Sequence, residues 1–228
     1  MGSVDPGSLY GALVFDFDGL VADTETPQYE AWADVFNHFG AEPIDQPGWQ
    51  EAVGVTCLPF DPVALVAGRL DEPPDEEKVR SVHRSRLETR LSTIAVRPGV
   101  PRWLDDAEGA GLRVGLASNS SRRWVDDHLQ RLGLADRFAV RVCGREGLAG
   151  KPAPDLYLRA SEELGVEPAR CLALEDSPAG ARAALAAGMT CVVVPSPMTA
   201  GLDFGAVQLV VGSLADTSLA EVVARLRP

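Results

Sequence analysis

Six short apolar runs, rich in Val, Leu and Ala, are the feature that most constrains how this chain can fold. Their sequences are ALVFDFD, LRVGLASNS, FAVRVCG, RCLALEDS, TCVVVPS and LVVGSL, and each predicts a buried strand. Helical patterns lie between most of them, and several end at Gly, which commonly closes a helix. Because buried strands that alternate with helices form a parallel sheet covered on both faces, the sequence predicts a doubly wound, Rossmann-like α/β core.

Residues 25–92 interrupt this alternation with a pattern that is helical almost throughout. Thr26 to Phe39 carries one apolar stripe, and Asp75 to Leu91 forms a charged helix. We expect residues 25–92 to form a helical cap domain, inserted above the strand ends of a core made of residues 1–24 and 93–228. Two connections to the core would let the cap move. The basic residues of the charged helix predict a solvated face: Arg80, Arg84, Arg86 and Arg90.

The charge and hydropathy of the chain exclude several classes of partner. The 228 residues carry a formal net charge of -12, which disfavours nucleic acid and anionic membrane surfaces, since both usually bind a basic patch. No apolar run approaches the roughly 20 residues that cross a bilayer. The polar start MGSVDPGS lacks the features of a signal peptide, so we expect a cytoplasmic protein. The sequence leaves open whether it is a monomer or a weak homodimer.

The four cysteines are far apart and show no zinc-type spacing. They are Cys57, Cys143, Cys171 and Cys191. Three of them lie in apolar, strand-like runs, so we expect buried thiols.

Polar residues cluster where four of these segments end. The first strand ends in Asp16-Phe17-Asp18-Gly19, a second in Ser118-Asn119, and another in Glu175-Asp176-Ser177, while a later loop carries Lys151-Pro152. In a parallel sheet these ends converge on one edge, where ligands bind. The sequence therefore predicts that four carboxylates and one Lys share a small space.

Such crowding of carboxylates requires a cation. Two like charges ~4 Å apart repel by about 4 kcal/mol at an effective dielectric near 20. Oxygen ligands without a His or Cys cluster favour a hard ion, and Mg²⁺ typically combines one or two carboxylates with waters and substrate phosphate oxygens. The sequence therefore predicts a Mg²⁺ site and, with it, an anionic substrate.

Each of these motifs also has an ordinary structural interpretation. Ser118 and Asn119 suit a helix N-cap, and Lys151 suits a solvated loop. Ser177 followed by Pro178 suits the start of a helix, a role compatible with chemistry next to it.

Taken in order, DFDGLVADTE, ASNSSR, GKPAPDLY and EDSPAGARAALAAGM resemble the haloacid dehalogenase-like hydrolase superfamily, in its phosphatase and phosphomutase branch with a helical cap. The resemblance spans about residues 11 to 195. It implies that Asp16 is the nucleophile and a metal ligand, and that Asp18 is the general acid and base, with its backbone carbonyl facing the metal. It implies further that Ser118 and Lys151 hold the phosphoryl oxygens, while Glu175 and Asp176 complete the magnesium site directly or through water.

Further donors to the phosphate are expected from Asn119 and from backbone N–H groups around Gly19. In the cap, Glu25 and Gln28 are the candidates for contacting a small phosphorylated metabolite.

Asp18 argues against dehalogenation, because dehalogenases of the superfamily lack this second carboxylate. Gln28 stands where the β-phosphoglucomutase group carries a His, and Val55–Leu58 lacks a basic residue found in many sugar-phosphate members. We therefore predict a Mg²⁺-dependent phosphatase acting on a small phosphate monoester, with a sugar phosphate as one candidate, through an aspartyl phosphate. The alternatives are a phosphohexomutase of the β-phosphoglucomutase type and a receiver-like phosphorylation switch, against which the helical insertion argues.

Overall fold

The computed structural model describes residues 6–51, 53–54, 60–144 and 147–227. The strands in these residues are β1 (Ala12–Phe15), β2 (Arg113–Ser121), β3 (Val140–Gly144), β4 (Cys171–Glu175), β5 (Thr190–Val193) and β6 (Leu209–Val210). They form one parallel sheet in the order β3-β2-β1-β4-β5-β6. All six runs predicted as strands therefore contribute to the sheet, and the doubly wound α/β core is confirmed.

Five helices cover the two faces of this sheet. They are α5 (Val100–Gly109), α6 (Arg122–Arg131), α7 (Asp155–Leu164), α8 (Pro178–Ala186) and α9 (Leu219–Arg225), numbered after four cap helices. Alternate residues of β1 face opposite layers: Leu13 and Phe15 pack with α5, α6 and α9, whereas Ala12 and Val14 pack with α7 and α8. Burial on both faces explains why the strand sequences are continuously apolar. The helical patterns predicted between the strands match α5 to α8.

Residues between β1 and α5 form the helices α1 (Glu25–Phe39), α2 (Gln46–Gln50), α3 (Pro62–Gly68) and α4 (Glu76–Leu91). These helices form an apolar cluster that includes Trp32 and Phe36 of the predicted stripe and is joined by Met198, which follows β5. The bounds 25–92 of the cap domain stay a prediction. Arg90 is not simply solvated as expected, because its guanidinium joins α4 to Glu30 and Asp34 of α1.

The two connections between cap helices and core lie side by side. Ala22 and Val96 form an antiparallel bridge, and the Arg97 N–H donates to the Val21 carbonyl at 2.8 Å. The Arg97 guanidinium donates to the carbonyls of Gly19, Val194 and Pro195. One half-buried side chain therefore joins both connections to the loop after β1 and to the end of β5.

Cys143, Cys171 and Cys191 are buried, which confirms the expectation for these three. Cys57 and the segment 55–58 lie outside the described residues. None of the helices in the described parts of the chain combines the length and apolar character that a bilayer crossing requires.

Candidate active site

A cavity of ≈ 400 Å³ lies beyond the carboxyl ends of the strands, between the sheet and the cap helices. The strand order reverses between β1 and β4, and ligands of doubly wound sheets bind at such a switch point. The cavity brings together these predicted site residues: Asp16, Asp18, Glu25, Gln28, Ser118, Asn119, Lys151 and Asp176.

Lys151 is buried against two carboxylates. Its Nζ donates to Asp16 Oδ1 and, at 2.6 Å, to Glu175 Oε1. Burial alone would lower the pKa of Lys151, but the charges of Asp16 and Glu175 outweigh it and raise this pKa above its ordinary value. The site therefore contains a permanent ammonium group, and the interpretation of Lys151 as a solvated loop residue is excluded.

Glu175, at the end of β4, accepts hydrogen bonds on both carboxylate oxygens. Its Oε1 accepts from Lys151 and, at 2.6 Å, from the Tyr157 hydroxyl of α7. Its Oε2 accepts from the backbone N–H groups of Asp176 and Ser177, at 3.1 and 3.3 Å. Glu175 is fully buried, and this arrangement makes it the anchor that holds Lys151.

Asp176 has one carboxylate oxygen without a hydrogen-bond partner among the described residues. This oxygen is the buried Oδ2, and burial, followed by the charge of Glu175, raises the pKa of this carboxyl. Gly19 (φ +83°) packs directly on it: a Cβ at Gly19 would lie 2.1 Å from Asp176 Oδ2. Only a residue without a side chain therefore fits this close to the carboxylate.

Oxygen atoms of Asp16, Glu175 and Asp176 lie within 4.8 Å of one another. Burial raises the pKa of Asp16 despite the opposing effect of Lys151, and the neighbouring carboxylates raise it further. A cation would stabilise these anions, and an all-oxygen donor set with an unsatisfied Asp176 oxygen fits a hard divalent ion.

Asp18 has a different environment from Asp16, because hydroxyl and indole groups surround it. Its Oδ1 accepts from Thr24 Oγ1 at 2.7 Å and from Trp124 Nε1 at 2.9 Å. Its Oδ2 accepts from Ser118 Oγ at 3.2 Å and from Ser120 Oγ at 2.7 Å. Asp16 therefore accepts from an ammonium group, whereas Asp18 accepts from neutral hydroxyl and indole groups.

Asn119 connects elements around the cavity. Its Oδ1 accepts from the Lys151 N–H at 2.8 Å, and its Nδ2 donates to the Gly54 carbonyl at 3.0 Å. The helix cap that the sequence offered to Ser118 or Asn119 is instead made by Ser121, whose Oγ accepts from the Trp124 N–H. Ser177 caps α8 with Pro178 at its first turn, as the sequence indicated.

Glu25 and Gln28, on the first turns of α1, form the cap side of the cavity together with Trp32 and Trp49. Burial raises the pKa of Glu25 to about 8, and the charges of Asp18 and Asp16 contribute to the shift. This side of the cavity therefore combines polar acceptors with two indole rings.

The sequence motifs contained further site residues to which the sequence alone assigned no role. Thr24 lies six residues after Asp18 in the motif DFDGLVADTE. Ser120 and Trp124 follow Ser118, and Tyr157 lies six residues after Lys151. Only the orientations of α6 and α7 show that Trp124 reaches Asp18 and that Tyr157 reaches Glu175.

The end of α2 and the segment after it make direct contact with the core. Gln50 Nε2 donates to the Met198 carbonyl at 2.9 Å, and Gly54 accepts from Asn119. Gly54 has a φ of +76°, and a Cβ at this position would lie 2.5 Å from Ser177 Oγ. Close approach of the cap to the core therefore requires Gly at residue 54.

Comparison with known proteins places these features in a family. A family model described as haloacid dehalogenase-like hydrolase matches residues 10–188. YhcW of Bacillus subtilis (strain 168), whose name suggests a phosphatase, is 39% identical over 209 residues, which cover 92% of this chain and 94% of that protein. The beta-phosphoglucomutase of the same organism is 31% identical over 189 residues, covering 80% of this chain and 82% of that protein.

A solved structure has the same architecture. The crystal structure of a CbbY mutant from Rhodobacter sphaeroides, in complex with xylulose 1,5-bisphosphate, aligns with a TM-score of 0.73 and 29% identity. The alignment covers 93% of this chain and 98% of that chain.

Replacing Gly54 with Ala should loosen the contact between cap and core. We expect a cost of about 1–3 kcal/mol from the positive φ and the clash with Ser177, which corresponds to amide exchange in residues 46–54 at least about fivefold faster. Hydrogen exchange measured by mass spectrometry tests this. Gly68→Ala is the matched control, since its Cβ would meet nothing within 4 Å. Exchange within twofold of wild type in Gly54→Ala would contradict the assigned contact.

Proposed function

The chain belongs to the haloacid dehalogenase-like hydrolases, and from this we propose that it is a Mg²⁺-dependent phosphatase acting on a small phosphate monoester, with Asp16 as nucleophile. The observation that carries the proposal is the pair of carboxylates in one cavity. Asp16 contacts an ammonium group, whereas Asp18 accepts four hydrogen bonds from neutral donors. Two carboxylates in unlike environments suit a nucleophile and an acid-base group.

In the first step, an Asp16 carboxylate oxygen attacks phosphorus, and the bond between phosphorus and the ester oxygen breaks. Lys151, already beside Asp16, offsets negative charge on the phosphoryl oxygens. Asp18 gives its proton to the departing alkoxide, so the products are the free alcohol and a phosphorylated Asp16.

In the second step, water attacks the phosphorus of the aspartyl phosphate. Asp18, which became a carboxylate in the first step, takes a proton from that water, and inorganic phosphate and Asp16 are released. The proton given to the alcohol is thereby recovered, and the enzyme returns to its starting state.

Asp16 and Asp176 would hold Mg²⁺, with the Asp18 backbone carbonyl as the further protein ligand that the family resemblance implies. Glu175 already accepts hydrogen bonds on both oxygens, so we assign it the role of holding Lys151 and of reaching the ion through water. When bound, Mg²⁺ would reduce the charge of the phosphoryl group and of the carboxylates around it.

Asp16→Asn should abolish turnover and leave the fold intact, because the amide is nearly isosteric but is not a nucleophile. Hydrolysis of p-nitrophenyl phosphate with Mg²⁺ should fall at least about a thousandfold. Asp23→Asn is the matched control: Asp23 lies on the same loop, but its carboxylate accepts from Thr26 and does not line the cavity. Activity of Asp16→Asn within tenfold of wild type would refute the nucleophile assignment.

We propose further that the substrate carries a single phosphate group. Lys151 is the only basic residue among the described residues that line the cavity, and Asp16 and Glu175 already engage it. The same walls carry the carboxyl groups of Asp18, Glu25 and Asp176. A second phosphate would add about -1.5 to -2 charge to this surface, whereas the indole rings of the cap suit an uncharged sugar or aromatic group.

Comparing a sugar monophosphate with the corresponding bisphosphate tests the single-phosphate proposal. We expect kcat/KM for xylulose 5-phosphate to exceed that for xylulose 1,5-bisphosphate at least about tenfold, since like charges repel in a partly desolvated cavity. Phosphate release measures both. Gln28→Arg places a cation in the cavity wall and should raise the relative rate on the bisphosphate. Equal wild-type rates on both esters would reject the proposal.

The similarity to a beta-phosphoglucomutase makes phosphoryl transfer to a sugar hydroxyl the second candidate. Gln28 lines the cavity where the mutase group is expected to carry a His, so we expect water to be the acceptor. With β-glucose 1-phosphate, and with the sugar phosphate that turns over fastest in a screen, ³¹P NMR should show inorganic phosphate as the sole phosphorus product. Accumulation of a sugar phosphate isomer would favour the mutase.

A further inference from the structure

Trp124 makes an unusual contact with the proposed acid-base group. Its indole Nε1 donates to Asp18 Oδ1 at 2.9 Å. The other three donors to Asp18 are hydroxyl groups, on Thr24, Ser118 and Ser120. Trp124 is the only one of the four that comes from α6.

Hydroxyl and indole groups differ in what they allow the carboxyl group to do. A hydroxyl can rotate and either donate or accept, so it tolerates both forms of a carboxyl oxygen. The indole N–H can only donate, so its bond exists only while Asp18 Oδ1 is an acceptor. Because a protonated carboxyl oxygen is the weaker acceptor, the contact favours a transferred proton on Oδ2, next to Ser118 and Ser120.

Trp124 is itself held rigidly. Its backbone N–H donates to the Ser121 Oγ that caps α6, and its carbonyl is 2.8 Å from His128 Nδ1. A carbonyl can only accept, so this His128 nitrogen carries the hydrogen. The centroid of the indole ring lies 4.2 Å from that of the His128 ring. The indole also packs on the apolar cluster formed by α5, α6 and α9.

We propose that Trp124 is a positioning residue for Asp18, which fixes the plane of its carboxyl group so that Oδ2 transfers the proton. The inference rests on the acid-base role proposed for Asp18. A donor on a capped helix, restrained by packing on its ring, holds an orientation that freely rotating hydroxyl groups cannot hold alone.

The test compares two esters of similar shape whose leaving groups differ in how much they need protonation by a general acid. Phenol is a poor leaving group and requires protonation, whereas p-nitrophenol leaves readily as an anion. For Trp124→Phe we expect kcat/KM on phenyl phosphate to fall about tenfold or more and kcat/KM on p-nitrophenyl phosphate less than about threefold. This parameter reports only the steps up to the phosphorylation of Asp16, so the base role of Asp18 in the second step, which is common to both esters, does not enter it. A loss of binding would instead lower kcat/KM equally for both esters.

Trp103→Phe is the matched control. Trp103 is fully buried in α5, and its Nε1 donates to the carbonyls of Leu214 and Thr217, away from the cavity. This variant loses an equivalent indole donor, so its thermal midpoint should fall while the ratio of the two kcat/KM values stays that of wild type. Near-UV circular dichroism and thermal midpoints show whether each variant folds.

A double-mutant cycle with Asp18→Asn shows whether Trp124→Phe acts through the Asp18 carboxyl group or disturbs the whole site. Trp124→Phe should not change the ratio of the two kcat/KM values further once Asp18 is replaced. A wild-type ratio in folded Trp124→Phe would overturn the positioning role. If Asp18→Asn itself lowers kcat/KM equally for both esters, the acid role in the proposed function fails instead, and the two failures are thus distinguishable.

Discussion

The charge balance around Lys151 is the interaction on which the rest of the site depends. An ammonium group this deeply buried is stable only beside anions, and Asp16 and Glu175 provide them. These anions are in place because β1 and β4 are neighbours in the sheet, although the residues are far apart in the chain. The parallel sheet therefore determines the electrostatics of the site, and the surrounding carboxyl groups leave an excess of negative charge that suits a divalent ion.

Much of this arrangement is predictable from sequence because it is periodic. Runs buried on both faces identify the strands, and the convergence of their carboxyl ends brings Asp16, Ser118 and Asp176 to one cavity. The short helix α9 escapes such a prediction, since its seven residues are too few to show a clear period. The contacts of Trp124 with Asp18 and of Tyr157 with Glu175 escape it for another reason: these residues act from helix faces whose rotation is set by packing on the sheet.

The same limit applies to residues whose type suggests one role and whose contacts indicate another. Glu175 has the chemistry of a metal ligand, yet Lys151, Tyr157 and two backbone N–H groups occupy its oxygens. Arg90 lies in a charged helix that looked solvated from sequence, yet it links α4 to α1. In both cases the side-chain partners are distant in the chain, so local pattern contains no sign of them.

Arg97 ties the loop that carries the proposed catalytic residues to the core, next to the two connections to the cap helices. Its side chain ties three carbonyls of the core together at the base of both connections, and Ala22 pairs with Val96 just beyond. The loop that carries Asp16 and Asp18 is thereby tied to the core through Gly19. A movement of the cap helices about the two connections would change access to the cavity without displacing these two carboxylates.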